Sequence, residues 1–139
     1  MKCGSYRCVI CIGKYAIKLP RLTQLAKGLR CNQWENEIWK VWRPIFGWEH
    51  LCPIIAAAPF SLFVVMRKAN QPVSFAEVQE ADNCYDYYPD APMEYKPENW
   101  GKVEGKVVCL DYGIDNANLI DKERDYLESK KNVSKAPNK

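Results

Sequence analysis

Apolar and polar positions alternate in short runs near the start of the chain. "RCVICIG" and "KYAIKL" read as two strands joined by a tight turn at Gly13-Lys14. Pro20 is expected to stop the second strand. From Leu25 to Trp42 the spacing becomes helical, loosely in the first half, where Gly28 weakens the pattern. The second half is cleaner, with Trp34, Ile38, Val41 and Trp42 forming an i, i+4, i+7, i+8 stripe. Pro44 is expected to end this helix.

Two further strands are predicted in "CPIIAAAP" and "SLFVVMRKA", divided by Pro59. The second carries a wholly apolar stretch and so belongs inside a sheet. Ser74 followed by Glu77 is a capping-box signature for a short helix. "WGKVEGKVVCLDYG" reads as a hairpin turning at Glu104-Gly105, with Val107, Val108 and Leu110 on a buried strand. "LIDKERDYLESKK" is a last, polar helix. The succession predicts an α+β protein, an antiparallel sheet with a flanking helix.

Composition narrows the class. The 139 residues suit one domain, placed at 1–130, with a disordered basic tail at 131–139. Hydrophobic residues make up 47% and charged residues 27%, as in a globular protein. A net charge of +3, much of it from the tail, does not point to nucleic acid. No run approaches the roughly 18 apolar residues of a membrane span. Seven cysteines are an odd number, and no secretory signal precedes them, so a cytoplasmic protein with reduced thiols is expected. Cys8 and Cys11 form a CxxC with Cys3 upstream, but the other cysteines are scattered singly, which favours buried small hydrophobes over zinc. His50 is the sole histidine, so a catalytic triad has little support. Asp82, Asp86, Asp90 and Glu94 recur every four residues and read as a solvated face. The aromatics Trp34, Trp39, Trp42, Trp48, Tyr85, Tyr87 and Tyr88 are expected in the core.

Four short motifs succeed one another in a suggestive order. "YAIK" places Lys18 at the end of a strand, and "NQWENEIW" on the next helix offers Glu35 and Glu37 as its ion-pair partners. "MEYKPENW" resembles a HRDxKPEN catalytic loop, with Lys96 to Asn99 identical. "VVCLDYG" resembles the strand leading into a DFG element, keeping Asp111 and Gly113 with Tyr112 in the phenylalanine place. Over roughly residues 4 to 114 the chain thus resembles a much-reduced member of the protein-kinase-like superfamily.

The resemblance implies a minimal protein-kinase-like fold: a strand-rich lobe, a hinge at "VVMRKAN" and a hairpin carrying the catalytic and metal loops. It implies ATP and Mg²⁺ as cofactors. Lys18 would contact phosphates, Glu35 (or Glu37) would orient it, and Asn99 and Asp111 would hold the metal through hard oxygen donors. Glu94 stands at the catalytic aspartate position, where its extra methylene displaces the base. A misplacement of about 1 Å costs roughly 100-fold in rate. The place of the glycine-rich loop is taken by "GSYRCV", with a single Gly4, and too little chain follows Gly113 for a peptide-substrate platform. The expected function is therefore that of a pseudokinase-type protein with a residual nucleotide site. It would act through a protein partner, as an inhibitor or accessory factor from a mobile element. The alternative is a minimal ATP/Mg-dependent phosphotransferase acting on a small molecule or on itself.

Overall fold

The computed structural model describes residues 1–82, 96–113, 124–125, 127–129 and 131. Period-two alternation and a glycine-containing turn produce the first hairpin, β2 (Arg7–Ile12) with β3 (Tyr15–Pro20). Ile12 pairs with Tyr15, so the loop is the two-residue Gly13-Lys14. A two-residue strand, β1 (Lys2–Cys3), adds to the outer edge of β2. β4 (Ile54–Ala57) and β5 (Val64–Arg67) complete an antiparallel sheet of order β1-β2-β3-β5-β4. The apolar β5 lies between two neighbours, as its composition predicts.

One helical rod crosses a face of this sheet. It runs as α1 (Leu25–Glu37), a π-helical turn at Ile38–Trp42, and α2 (Arg43–Phe46). Pro44 does not end it. Proline is tolerated in the first turn of a helical segment, and the chain stops at Gly47, whose φ of 69° makes a left-handed cap. Gly28 belongs to the helix because of what it touches. A Cβ there would lie 2.5 Å from Pro20 Cβ and 2.6 Å from the Tyr6 carbonyl, so only glycine lets α1 approach β3 this closely.

The face that α1 buries differs from the apolar stripe. Its buried positions are Gly28, Asn32 and Glu35, continued by Ile38, Trp42 and Phe46. Val41 is exposed and Trp34 only half-buried. Two of these six positions, Asn32 and Glu35, are polar, so apolar spacing alone locates the face wrongly.

Beyond β5, α3 (Phe75–Asp82) opens with the expected capping box. Glu77 N–H donates to Ser74 Oγ at 3.1 Å, and Ser74 N–H donates back to Glu77 Oε1 at 3.2 Å. β6 (Trp100–Val103) and β7 (Lys106–Cys109) form the second hairpin, turning at Glu104-Gly105. Backbone bonds from Cys109 N–H to the His50 carbonyl and from Cys52 N–H to the Cys109 carbonyl dock β7 beside the loop that precedes β4. Trp48, Trp100, Tyr112, Ile38, Leu51, Met66 and Val64 are fully buried between sheet, rod and hairpin. The architecture is α+β, an antiparallel sheet with a flanking helix. Among the described residues no helix is long and apolar enough to cross a membrane.

Three cysteines, Cys3, Cys8 and Cys11, behave differently from expectation. Cys3 faces Cys8 across the β1–β2 pair, and the two are joined as a disulfide rather than kept as reduced, buried thiols. Cys11 is exposed, while Cys52 and Cys109 are buried free thiols. Tyr85, Tyr87, Tyr88, Asp86, Asp90 and Glu94 lie outside the described residues.

Candidate functional site

Strand register puts Arg7, Val9, Lys18 and Pro20 on the sheet face that α1 covers, because Arg7 pairs with Pro20 and Val9 with Lys18. Lys18 is only 6% exposed. Its ammonium donates to Glu35 Oε1 at 2.9 Å and to the main-chain carbonyl of Leu110. Glu35, not Glu37, is thus the helical partner of Lys18, and it is wholly buried.

Glu35 is bound from a second side. Arg7 approaches it as a fork, Nη1 to Oε1 at 3.0 Å and Nη2 to Oε2 at 3.2 Å, the bidentate arrangement that a planar guanidinium favours. The Tyr112 N–H donates to Oε2 at 3.0 Å. Burial alone would raise the Glu35 carboxyl, but Arg7 and Lys18 more than reverse this and hold it at about 2. Burial likewise works against the charged Arg7 guanidinium, and Glu35 with Asp111 outweighs it, so Arg7 stays cationic.

Arg7 continues outward to Asp111, with Nη2 2.7 Å from Oδ1. The Arg7 side chain is 10% exposed and that of Asp111 55%, so the network runs from a dry interior to the surface. Asn32 fastens it to the rest of the molecule. Its Oδ1 accepts from Arg7 Nη1 at 3.1 Å, and its Nδ2 donates to the Lys18 and Ser61 carbonyls at 3.3 and 3.0 Å. Gly113 keeps the chain close, since a Cβ there would come within 2.7 Å of the Cys31 carbonyl and 3.2 Å of Arg7 Nη2. Behind the cluster the Tyr112 ring is fully buried, and its hydroxyl donates to the Cys52 carbonyl at 2.7 Å.

Of the residues singled out from the sequence, Lys18, Glu35 and Asp111 therefore meet in one cluster. Asn99 reaches its edge through the backbone, where its carbonyl accepts from Leu110 N–H at 2.7 Å. Glu94 lies outside the described residues. Sequence reasoning misses Arg7 and Asn32. Arg7 stands in "GSYRCV", at the place of the glycine-rich loop, and the one available signal is a cation opening an otherwise apolar strand.

These donors do not fit a bound nucleotide with its magnesium. Asp111, the expected metal carboxylate, already neutralises a guanidinium. A metal ion at Asp111 Oδ1 would meet the Arg7 guanidinium, a permanent cation 2.7 Å from that oxygen. The two carboxylates and two cations satisfy one another internally. No protein-family model matches the chain, and neither does a curated protein or a solved structure.

Proposed function

We propose that this chain is a much-reduced, kinase-like protein of the pseudokinase type that acts by binding a protein partner, as an inhibitor or accessory factor from a mobile element. Support for the kinase-like part comes from the order of parts. A lysine on the third strand of a five-stranded sheet pairs with a glutamate on the next helix, and a hairpin leads into Asp111-Tyr112-Gly113 beside that pair. The observation that carries the non-catalytic part is Arg7, whose guanidinium ties Glu35 to Asp111 and fills the space that phosphate and metal would need. Support for a partner comes from the β4–β5 connection. Phe60 and Ser61 adopt φ of 61° and 60°, an unfavourable region for non-glycine residues, and Phe60 is 90% exposed. Asn32 holds that turn through the Ser61 carbonyl.

The test is calorimetric titration of MgATP into the disulfide-bonded protein, with Asp111→Ala as control. Millimolar nucleotide should give no saturable heat with either protein. Saturable binding that Asp111→Ala weakens would overturn the reading in favour of the alternative, a minimal ATP/Mg-dependent phosphotransferase. The half-exposed Asp111 carboxylate and the Lys18–Glu35 pair favour that alternative.

A further inference from the structure

Arg7 reaches the cluster from an unusual support. It opens β2 immediately after the turn Gly4–Tyr6, and its neighbour on the strand, Cys8, is bonded to Cys3 on the far side of that turn. Neighbouring residues on a strand point to opposite faces. The disulfide therefore closes the turn from outside while Arg7 projects inward to Glu35, Asn32 and Asp111. The turn is also held by three hydrogen bonds, Gly4 N–H to the Arg7 carbonyl, Arg21 N–H to the Tyr6 carbonyl and Arg21 Nη1 to the Gly4 carbonyl, and by the Lys27 ammonium 5.2 Å from the centre of the Tyr6 ring. β1 is only two residues long and lies at the sheet edge. Cys3 is an exposed residue on this edge strand, and a disulfide opens by attack of a thiolate on one of its sulfurs.

We infer that the Cys3–Cys8 disulfide is a redox lock on Arg7, keeping the guanidinium between Glu35 and Asp111 until a dithiol reductant releases the turn. The lock rests on the proposed function, in which Arg7 holds the cluster in a non-catalytic state by tying Glu35 to Asp111. In the step itself a thiolate of the dithiol attacks Cys3 Sγ, and the Sγ–Sγ bond breaks with Cys8 as the leaving thiolate. The second thiol of the reductant then resolves the mixed disulfide. Two electrons pass to the protein, both cysteines end as thiols after protonation, and the reductant departs as its own disulfide. Once the ring is open, the turn regains chain entropy whenever Arg7 leaves the cluster. For a ring of this size, loop closure corresponds to about 40-fold in an equilibrium constant. Arg7 does not leave permanently, since its bidentate pairing persists. What rises is the fraction of molecules in which it is out.

Nitrogen-detected or proton NMR of the arginine side chains reads this directly. In the oxidised protein the Arg7 guanidinium protons should exchange slowly with solvent. Reduction with dithiothreitol, or the Cys3→Ser/Cys8→Ser protein, should accelerate that exchange by roughly 10- to 40-fold. The Tyr112 amide, bonded to the same carboxylate, should exchange faster in parallel. In an Arg7→Gln background, reduction should leave the Tyr112 amide unchanged, because the lock then has nothing to hold. A merely structural disulfide would accelerate Tyr112 equally in both backgrounds. Arg7 exchange within twofold of the oxidised value after full reduction overturns the lock, as does an undiminished redox response of Tyr112 in Arg7→Gln. A separate titration of MgATP into the reduced protein bears on the functional reading alone.

Discussion

Two groups of ion pairs use the same residue types at opposite depths. Under the sheet, Lys18 and Arg7 share the fully buried Glu35. On the surface, Lys102 of β6 meets Glu77 of α3, and Arg67 meets Glu104, with every one of these side chains at least 31% exposed. Water screens the surface pairs and competes for their hydrogen bonds, so they contribute little. The buried cluster has no such solvent, and each charge in it depends on the others being present. Removing one member of the buried cluster strands a charge away from water, whereas removing one member of a surface pair leaves its partner solvated.

The largest effect should come from removing the shared carboxylate. Glu35→Ala leaves two buried cations facing each other and strips Tyr112 N–H of its acceptor. Loss of one partner from a buried network costs about 3–5 kcal/mol. Urea denaturation should place the midpoint far below that of the native protein, and a midpoint near the native one would mean that the cluster is solvated. The variant Glu37→Ala, on the half-buried flank of the same helix, is the matched control.

Acid gives a graded version of the same experiment. The Glu35 carboxyl sits at about 2 in the folded protein against 4.5 without the fold. A depressed carboxyl contributes stability that is complete above the unfolded value and is lost as pH falls towards the folded one. Stability should therefore hold down to about pH 5 and then decline between about pH 4.5 and 2, by on the order of 3 kcal/mol from this group. Chemical denaturation at half-unit pH steps measures the slope. Glu35→Gln should remove this share of the slope, and an unchanged slope in that variant would assign the acid sensitivity elsewhere.

Gly28→Ala attacks the approach of helix to sheet that brings the charges together. The added Cβ meets Pro20 and the Tyr6 carbonyl, which are backbone or ring atoms that cannot swing away. Overpacking of this kind costs about 1–3 kcal/mol, against a gain in helix propensity of about 1 kcal/mol. The net should be destabilising, read as a lowered thermal midpoint. A raised midpoint would show that α1 stands off β3 further than the contacts indicate.

These sites also mark where sequence reasoning succeeds and stops. Strands and hairpins are legible at Gly13-Lys14 and Glu104-Gly105 because turn chemistry and period-two alternation are local signals. The capping box at Ser74 and Glu77 is legible for the same reason. The buried face of α1 is not, because Asn32 and Glu35 occupy it and the π-helical turn at Ile38–Trp42 shifts the phase of the residues after it. Gly28 looks like a weakness until the strand it touches is in place. Lys18, Glu35 and Asp111 are found by their resemblance to a motif series, but that resemblance has no place for Arg7. Its partners lie 25, 28 and 104 residues away, and no local pattern encodes a contact at such separations.

The smallest expected effects lie at the surface and separate two contributions to one helix start. Ser74→Ala removes the oxygen that accepts from Glu77 N–H, an N-cap loss worth about 1 kcal/mol. Lys102→Ala removes the ammonium that faces Glu77 across the surface, together with its methylene stem. The Glu77 carboxyl is lowered first by its hydrogen bond with Lys102 and then by the Ser74 backbone, with a smaller share from the Ser74 side chain, so both changes should raise its titration point. Only the first should shift the denaturation midpoint measurably, because the cap satisfies a backbone donor that has no intrahelical partner, while the ion pair exchanges one solvated state for another. A midpoint shift in Lys102→Ala as large as in Ser74→Ala would show that this exposed pair is held as rigidly as the buried one, and the contrast between the two regions would collapse.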